Sequence, residues 1–188
     1  MIGSKWQITA VVMAGLGLVA SGLYIPAKAQ LAQWLIRSAW AEASESGARV
    51  TPWSWADMAP VGRLSAPDHG KEWIVLAGVS GEAMAFGPGH VTASAAPGQS
   101  GHTILGGHRD THFAFLEDVR VGDRFEVEGF GGKTRAYRVD HVRAVDTSLE
   151  PLELTPERSR LTLVTCYPFD AVRPGGPWRF VVDASAEI

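Results

Sequence analysis

Beyond residue 72 the β-branched, aromatic and aliphatic residues of this chain gather in short runs, each closed by a turn containing Gly, Pro or Asp. On that pattern residues 73–77, 102–105, 124–128, 134–145, 161–165 and 178–183 read as strands. Several short strands with little helix between them predict a mainly β domain, a barrel or a sandwich. The longest run alternates only in part, with Ala136, Arg138, Asp140, Val142 and Ala144 on one face and Tyr137, Val139, His141, Arg143 and Val145 on the other, so its register stays open. Two irregular stretches remain, residues 80–101, rich in Gly, Ala and Pro, and residues 146–160, which carry Pro151 and Pro156. Ordered loops of that length commonly line substrate sites.

The N-terminus obeys a different rule. Residues 8–25 hold no charge, about the minimum length for a helix that crosses a bilayer, and Pro26 closes the apolar run. Lys5 precedes the run, while Lys28 and Arg37 follow it, and an N-terminal run of this kind leaves residues 30–188 exported. Ala27-Lys28-Ala29 has the form of a signal-peptidase site, so cleavage before Gln30 competes with a retained anchor. The anchor is favoured because Leu31, Trp34, Leu35, Ala39 and Trp40 continue at near-helical spacing, as in a helix that leaves the membrane and lies at its interface; the alternative is a helix packed on the domain. Ser44-Glu45-Ser46-Gly47 then breaks the helix. The expected organisation is an anchor over residues 1–29, a juxtamembrane helix and linker over 30–49, and a compact domain over 50–188.

Composition removes several classes of function. With 188 residues, a formal net charge of -3 and 20% charged residues, the chain has no basic footprint for nucleic acid. It contains no CxxC, HExxH or Walker-type motif to suggest a structural zinc, a metalloprotease or a nucleotide site. The chemistry has to come from dispersed side chains.

Cys166 is the one cysteine. It ends the strand Thr162-Leu163-Val164-Thr165-Cys166, and Tyr167-Pro168 stops that strand at once, which puts the thiol at a strand-loop junction. A lone cysteine can be a small apolar filler, but an exported chain that keeps an unpaired thiol in an oxidising compartment points to a used one. A cysteine nucleophile needs a base or cation beside it, an acid for the leaving amine and a donor for the oxyanion. The candidates are His108, in Gly106-Gly107-His108-Arg109-Asp110-Thr111-His112-Phe113, and the arginines Arg173 and Arg179. His108 ends a strand as Cys166 does.

A Gly-His strand end, a TLxTC strand end and an arginine opening the last strand together resemble the sortase family of cysteine transpeptidases. The resemblance covers roughly residues 52–184. Residues Gly107 to Phe113, Thr162 to Phe169, Pro52-Trp53-Ser54-Trp55-Ala56-Asp57 and the N-terminal helix look most like the Gram-negative, marine proteobacterial class. It implies an eight-stranded sortase barrel with short helices behind an uncleaved transmembrane anchor in the inner membrane, with the catalytic domain on the periplasmic side. The implied reaction cleaves an LPxTG-like C-terminal sorting signal between Thr and Gly and passes the acyl group to an amine acceptor. Carried over residue by residue, Cys166 is the nucleophile, His108 the acid and base, and Arg179 the catalytic cation, while Thr165 and Arg173 contact substrate. His112 reads as a loop histidine packing near Phe113.

No cofactor or metal is expected. His102, His108, His112 and Cys166 could be imagined as a metal set, but His102 and His108 stand about 20 Å apart on an extended strand at ~3.3 Å per residue. Glu150, Glu153 and Glu157, where some sortases use acidic residues for calcium, read as a solvated acidic loop. Two other functions stay open: a cysteine peptidase that only hydrolyses, and a noncatalytic membrane-tethered β-barrel that binds a partner.

Overall fold

The structure, a computed structural model, describes residues 3–155, 158–173 and 175–187. Pro156 and Glu157 of the loop before the cysteine strand lie outside the described residues. Helix α1, Gly3–Ser46, runs unbroken through Pro26, which forgoes a backbone hydrogen bond without ending the helix. Val11, Met13, Leu16, Leu18, Leu23 and Ile25 are all more than half exposed along it. Among the described residues α1 is the one helix long and apolar enough to cross a membrane.

The chain divides into two compact units, Met1–Leu35 and Ile36–Ile188. The second therefore starts within α1 rather than near residue 50. Ile36 and Trp40 are buried with Met58, Ile74, Leu76 and Ala83, and the Trp40 ring lies against Phe130 with centroids 5.8 Å apart. Of the stripe read as interfacial, Ala39 and Trp40 are buried while Leu31 and Trp34 are exposed, so the last turns of α1 pack as an ordinary domain helix. The helix ends where expected: Gly47 takes φ +68° and its N–H reaches the Ala43 carbonyl at 2.9 Å.

The second unit is a closed barrel. Its strands are β1 (Pro60–Ala66), β2 (Lys71–Ala77), β3 (Gly89–His90), β4 (His102–Gly106), β5 (Arg124–Glu128), β6 (Thr134–Asp146), β7 (Arg160–Cys166) and β8 (Trp178–Ala186). The order around the wall is β1-β2-β3-β4-β7-β8-β6-β5, with β2·β3 and β4·β7 parallel and the rest antiparallel. Leu64, Val75, Leu105, Phe125, Tyr137, Leu161, Leu163 and Val182 fill the interior. Phe115 joins them to Trp73, Phe113 and Phe125 through stacked and edge contacts at 4.8–6.3 Å. The six runs read from the sequence all appear as strands. Strand β1 did not stand out because Pro60, Gly62, Arg63 and Ser65 interrupt its apolar pattern, yet it alternates buried and half-buried along its whole length. Gly62 is required there, since a Cβ would lie 2.6 Å from Pro97 and 2.8 Å from the Glu128 carbonyl. The stretch 80–101 is also less irregular than expected: it holds α2 (Gly81–Phe86), capped by Ser80 accepting from the Ala83 N–H at 3.2 Å, and the short β3.

Because Ile36 is only 1% exposed and belongs to the barrel unit, Ile36→Ala is expected to lower unfolding free energy by about 2–5 kcal/mol. Denaturant unfolding of the full chain in detergent measures it.

Candidate active site

Strand β7 alternates. Leu161 and Leu163 enter the core, and Thr165 follows them inward, so Thr162, Val164 and Cys166 face out. Antiparallel β8 sets Arg179 directly opposite Cys166, Val181 opposite Val164 and Asp183 opposite Thr162. Strand β6 extends each rung with Val145, Arg143 and His141. Directly opposed side chains share a face with Cβ atoms about 4.5–5.5 Å apart. The half-buried Cys166 and Arg179 therefore leave the outer wall as cross-strand neighbours. Arg179 Nη1 donates to the carbonyls of Gly176 and Trp178, both at 2.8 Å.

The histidine arrives on the other side of β7. Parallel pairing sets Gly106 against Val164, and the next residue continues it, with the Gly107 N–H donating to the Val164 carbonyl at 3.1 Å. Thr165 Oγ1 donates to the Gly107 carbonyl at 2.7 Å. That bond gives Thr165 a task different from the substrate contact expected of it. Its side chain points inward, the residue is 2% exposed, and its hydroxyl ties the histidine loop to the cysteine strand. The loop is closed by its own backbone, because the Phe113 N–H returns to the His108 carbonyl at 3.0 Å. Phe113 is fully buried, and a Cβ on Gly107 would sit 2.7 Å from its ring, which is why a glycine precedes His108.

His112 is close to His108. Burial, and after it the charge of His108, hold the His112 pKa below the ordinary histidine range, against the Phe86 carbonyl, which favours its charged form. Arg173 lies exposed in the β7–β8 connection, and its carbonyl, with that of Ala171, accepts from Arg109 Nη2 at 3.3 and 2.7 Å. Arg109 thus straps the histidine loop to the connection that precedes Arg179, a link the sequence did not disclose. Behind Cys166 the aromatic rings of Tyr167, Phe169 and Phe180 pack on one another at 5.0–6.3 Å.

Two rungs down from Cys166 the outer wall becomes polar. Thr162 Oγ1 donates to Asp183 Oδ1 at 2.6 Å, and His102 Nε2 meets Thr162 Oγ1 at 2.8 Å. Arg143 and Arg160 approach Asp183 Oδ2 at 3.5 and 3.9 Å. Residues 149–153 and Thr155 roof this region, enclosing a cavity of about 620 Å³. Glu150 pairs with Arg143 at 2.6 Å there. Alternation along β7 was the one signal that could have linked Thr162 to Cys166 from sequence.

Strand ends and register bring Cys166, Arg179 and the loop of His108 to one rim of a closed barrel. The family model for the sortase domain matches residues 64–187, so the chain belongs to the sortase family, whose members are cysteine transpeptidases. Sortase D of Bacillus subtilis (strain 168) is 31% identical over 125 residues, 64% of this chain, and the match spans 61% of that relative's length. Sortase C2 of the Group B Streptococcus pilus island 1 superposes with a TM-score of 0.60 at 26% identity, covering 69% of this chain and 74% of that one. Sortase C1 of Streptococcus agalactiae, solved in complex with MTSET, gives 0.59 at 29% identity, covering 69% and 68%.

Gly107→Ala is expected to cost about 1–3 kcal/mol through the clash with Phe113. Adding Phe113→Leu should recover part of that loss, which a double-mutant cycle of thermal unfolding reads directly.

Proposed function

We propose that the chain is a membrane-anchored sortase that cleaves an LPxTG-like C-terminal sorting signal between Thr and Gly and transfers the acyl group to an amine. The observation that supports this most directly is the register that opposes Arg179 to Cys166 while Thr165 ties the His108 loop to the same strand end. The Cys166 sulfur attacks the Thr carbonyl, and the oxyanion that forms develops beside the Arg179 guanidinium. His108, protonated, gives its proton to the departing Gly amine as the C–N bond breaks, leaving a thioester on Cys166. Now neutral, His108 takes a proton from the incoming amine, which attacks the thioester and expels the thiolate as the new amide forms. Water resolves the thioester when no amine is supplied.

Arg173, on the exposed connection, is the flanking cation that meets the peptide, and Thr165 acts on the reaction through Gly107. Helix α1 serves as an uncleaved anchor that keeps the barrel on the periplasmic side of the inner membrane, a reading supported by the uncharged run of residues 8–25 preceded by Lys5. Similarity to Sortase D, with the histidine and cysteine motifs, supports a class D-like enzyme.

Full-length protein in detergent, incubated with an LPxTG-type peptide with and without a primary amine, is followed by mass spectrometry. A cut between Thr and Gly that Cys166→Ala abolishes, with an amine-dependent ligated product, supports transpeptidation. Cleavage that added amine does not divert supports a hydrolase, and cleavage that survives in Cys166→Ala sinks the mechanism. Arg179→Ala is expected to lower kcat/KM about 10²–10³-fold, the usual loss on removing an oxyanion donor. Arg173→Ala is expected to cost less than about tenfold and to act mainly on KM.

A further inference from the structure

Among the contacts that hold the roof of this cavity, one hydrogen bond has a direction that can be read without ambiguity. The Thr155 N–H, which can only donate, points at His102 Nδ1 at 3.1 Å. Nδ1 therefore carries no proton, and the proton of neutral His102 sits on Nε2. That tautomer fits the rest of the chain: Nε2–H donates to Thr162 Oγ1, whose own proton goes to Asp183 Oδ1. His102, Thr162 and Asp183 are all buried, at 4%, 3% and 6% exposure. The relay runs across three strands, β4, β7 and β8, and ends on the loop that roofs the cavity.

We propose that neutral His102 is a positioning residue that holds residues 149–155 over the cavity on the outer wall of β7 and β8, two rungs from Cys166, and that its protonation releases them. Thr155 Oγ1 lies 3.3 Å from the same nitrogen, so a proton on Nδ1 would turn to that hydroxyl and leave the Thr155 N–H without the acceptor that neutral His102 gives it. Burial first, and then the charge of Arg160, favour neutral His102. From β7 the Arg160 guanidinium faces it; from β8 comes Asp183, whose Oδ1 accepts from Thr162 and whose Oδ2 faces Arg143 and Arg160. His141 and Arg143 of β6 line the same cavity, with Glu150 and Glu153 on the loop, Glu150 being paired with Arg143. Burial and then Arg160 push the His102 pKa down, and Asp183 only partly opposes them. With the folded value below the ordinary ~6.5 of histidine, the latch contributes fully above that pH and is lost as pH falls through the lowered value.

This inference rests on the sortase reading for its link to turnover, but its test does not. Hydrogen exchange of amides in residues 149–155 is compared among wild type, His102→Ala and His102→Asn in full-length protein, at about pH 7.5 and at about pH 4, well below the ordinary histidine value. Asn offers a carbonyl oxygen near the place of Nδ1 and does not titrate. His102→Ala should exchange about fivefold faster than wild type at the higher pH, the loss of roughly one hydrogen bond. His102→Asn should match wild type at the higher pH and be about fivefold slower than it at the lower one. Equal exchange in all three proteins at each pH overturns the proposal. So does a ratio of wild type to His102→Asn that is the same at both pH values.

With an LPxTG-type peptide, His102→Ala should raise KM about fivefold at the higher pH and leave kcat within about twofold. A loss confined to kcat overturns the positioning role. Absence of any Cys166-dependent cleavage in wild type removes the sortase reading, while the exchange data still decide the latch.

Discussion

Everything at this site depends on β4 and β7 being parallel neighbours. Parallel strands end at the same edge of a sheet, so residues placed just past their C-terminal ends leave the wall together. His108 follows β4 and Cys166 closes β7, and the two are brought to one rim although they are distant in sequence. An antiparallel pair would have put them at opposite ends of the barrel. Strand β8 then starts where β7 stops, so the arginine near its beginning faces the cysteine without any loop having to carry it. Three functional groups are thus set by strand ends and register, and only the histidine needs further fixing.

That fixing is done by groups that never reach the outer face. Thr165 uses its hydroxyl on Gly107, Phe113 fills the space a larger residue than glycine would need, and Arg109 spans to the carbonyls of Ala171 and Arg173. Each hydrogen bond adds only about 0.5–1.5 kcal/mol to stability, but each removes a direction in which the imidazole could drift. The aromatic cluster of Trp73, Phe113, Phe115 and Phe125 gives the loop a rigid floor, because its rings meet at edge and stacked distances that leave little room to rearrange.

The positions of Cys166, His108 and Arg179 at strand ends were legible in the sequence because each sits beside a strand signal: a β-branched run stopped by Tyr167-Pro168, a run stopped by two glycines, and an arginine just inside the last run. Strand β1 was not visible, since its inward positions include Pro60, Gly62 and Ala66, small residues that fill a tight wall without looking apolar. The start of the domain was misplaced because Ile36 and Trp40 share a helix with an apolar span, and periodicity does not reveal which protein surface covers a helix face. The His102, Thr162 and Asp183 relay joins residues 60 and 21 positions apart, a separation that only strand pairing can close. Thr165 was carried over with the TLxTC motif, and alternation along β7 sends its side chain to the face opposite that of Cys166.

Arg179 lies on the final strand, and β8 pairs with both β6 and β7 along its length. Arg179 is therefore set opposite Cys166 only once β8 has been laid between β6 and β7. A barrel with β8 unpaired keeps β7 and its cysteine but has no arginine facing it. Closing the barrel and setting that arginine against the cysteine are thus one folding event.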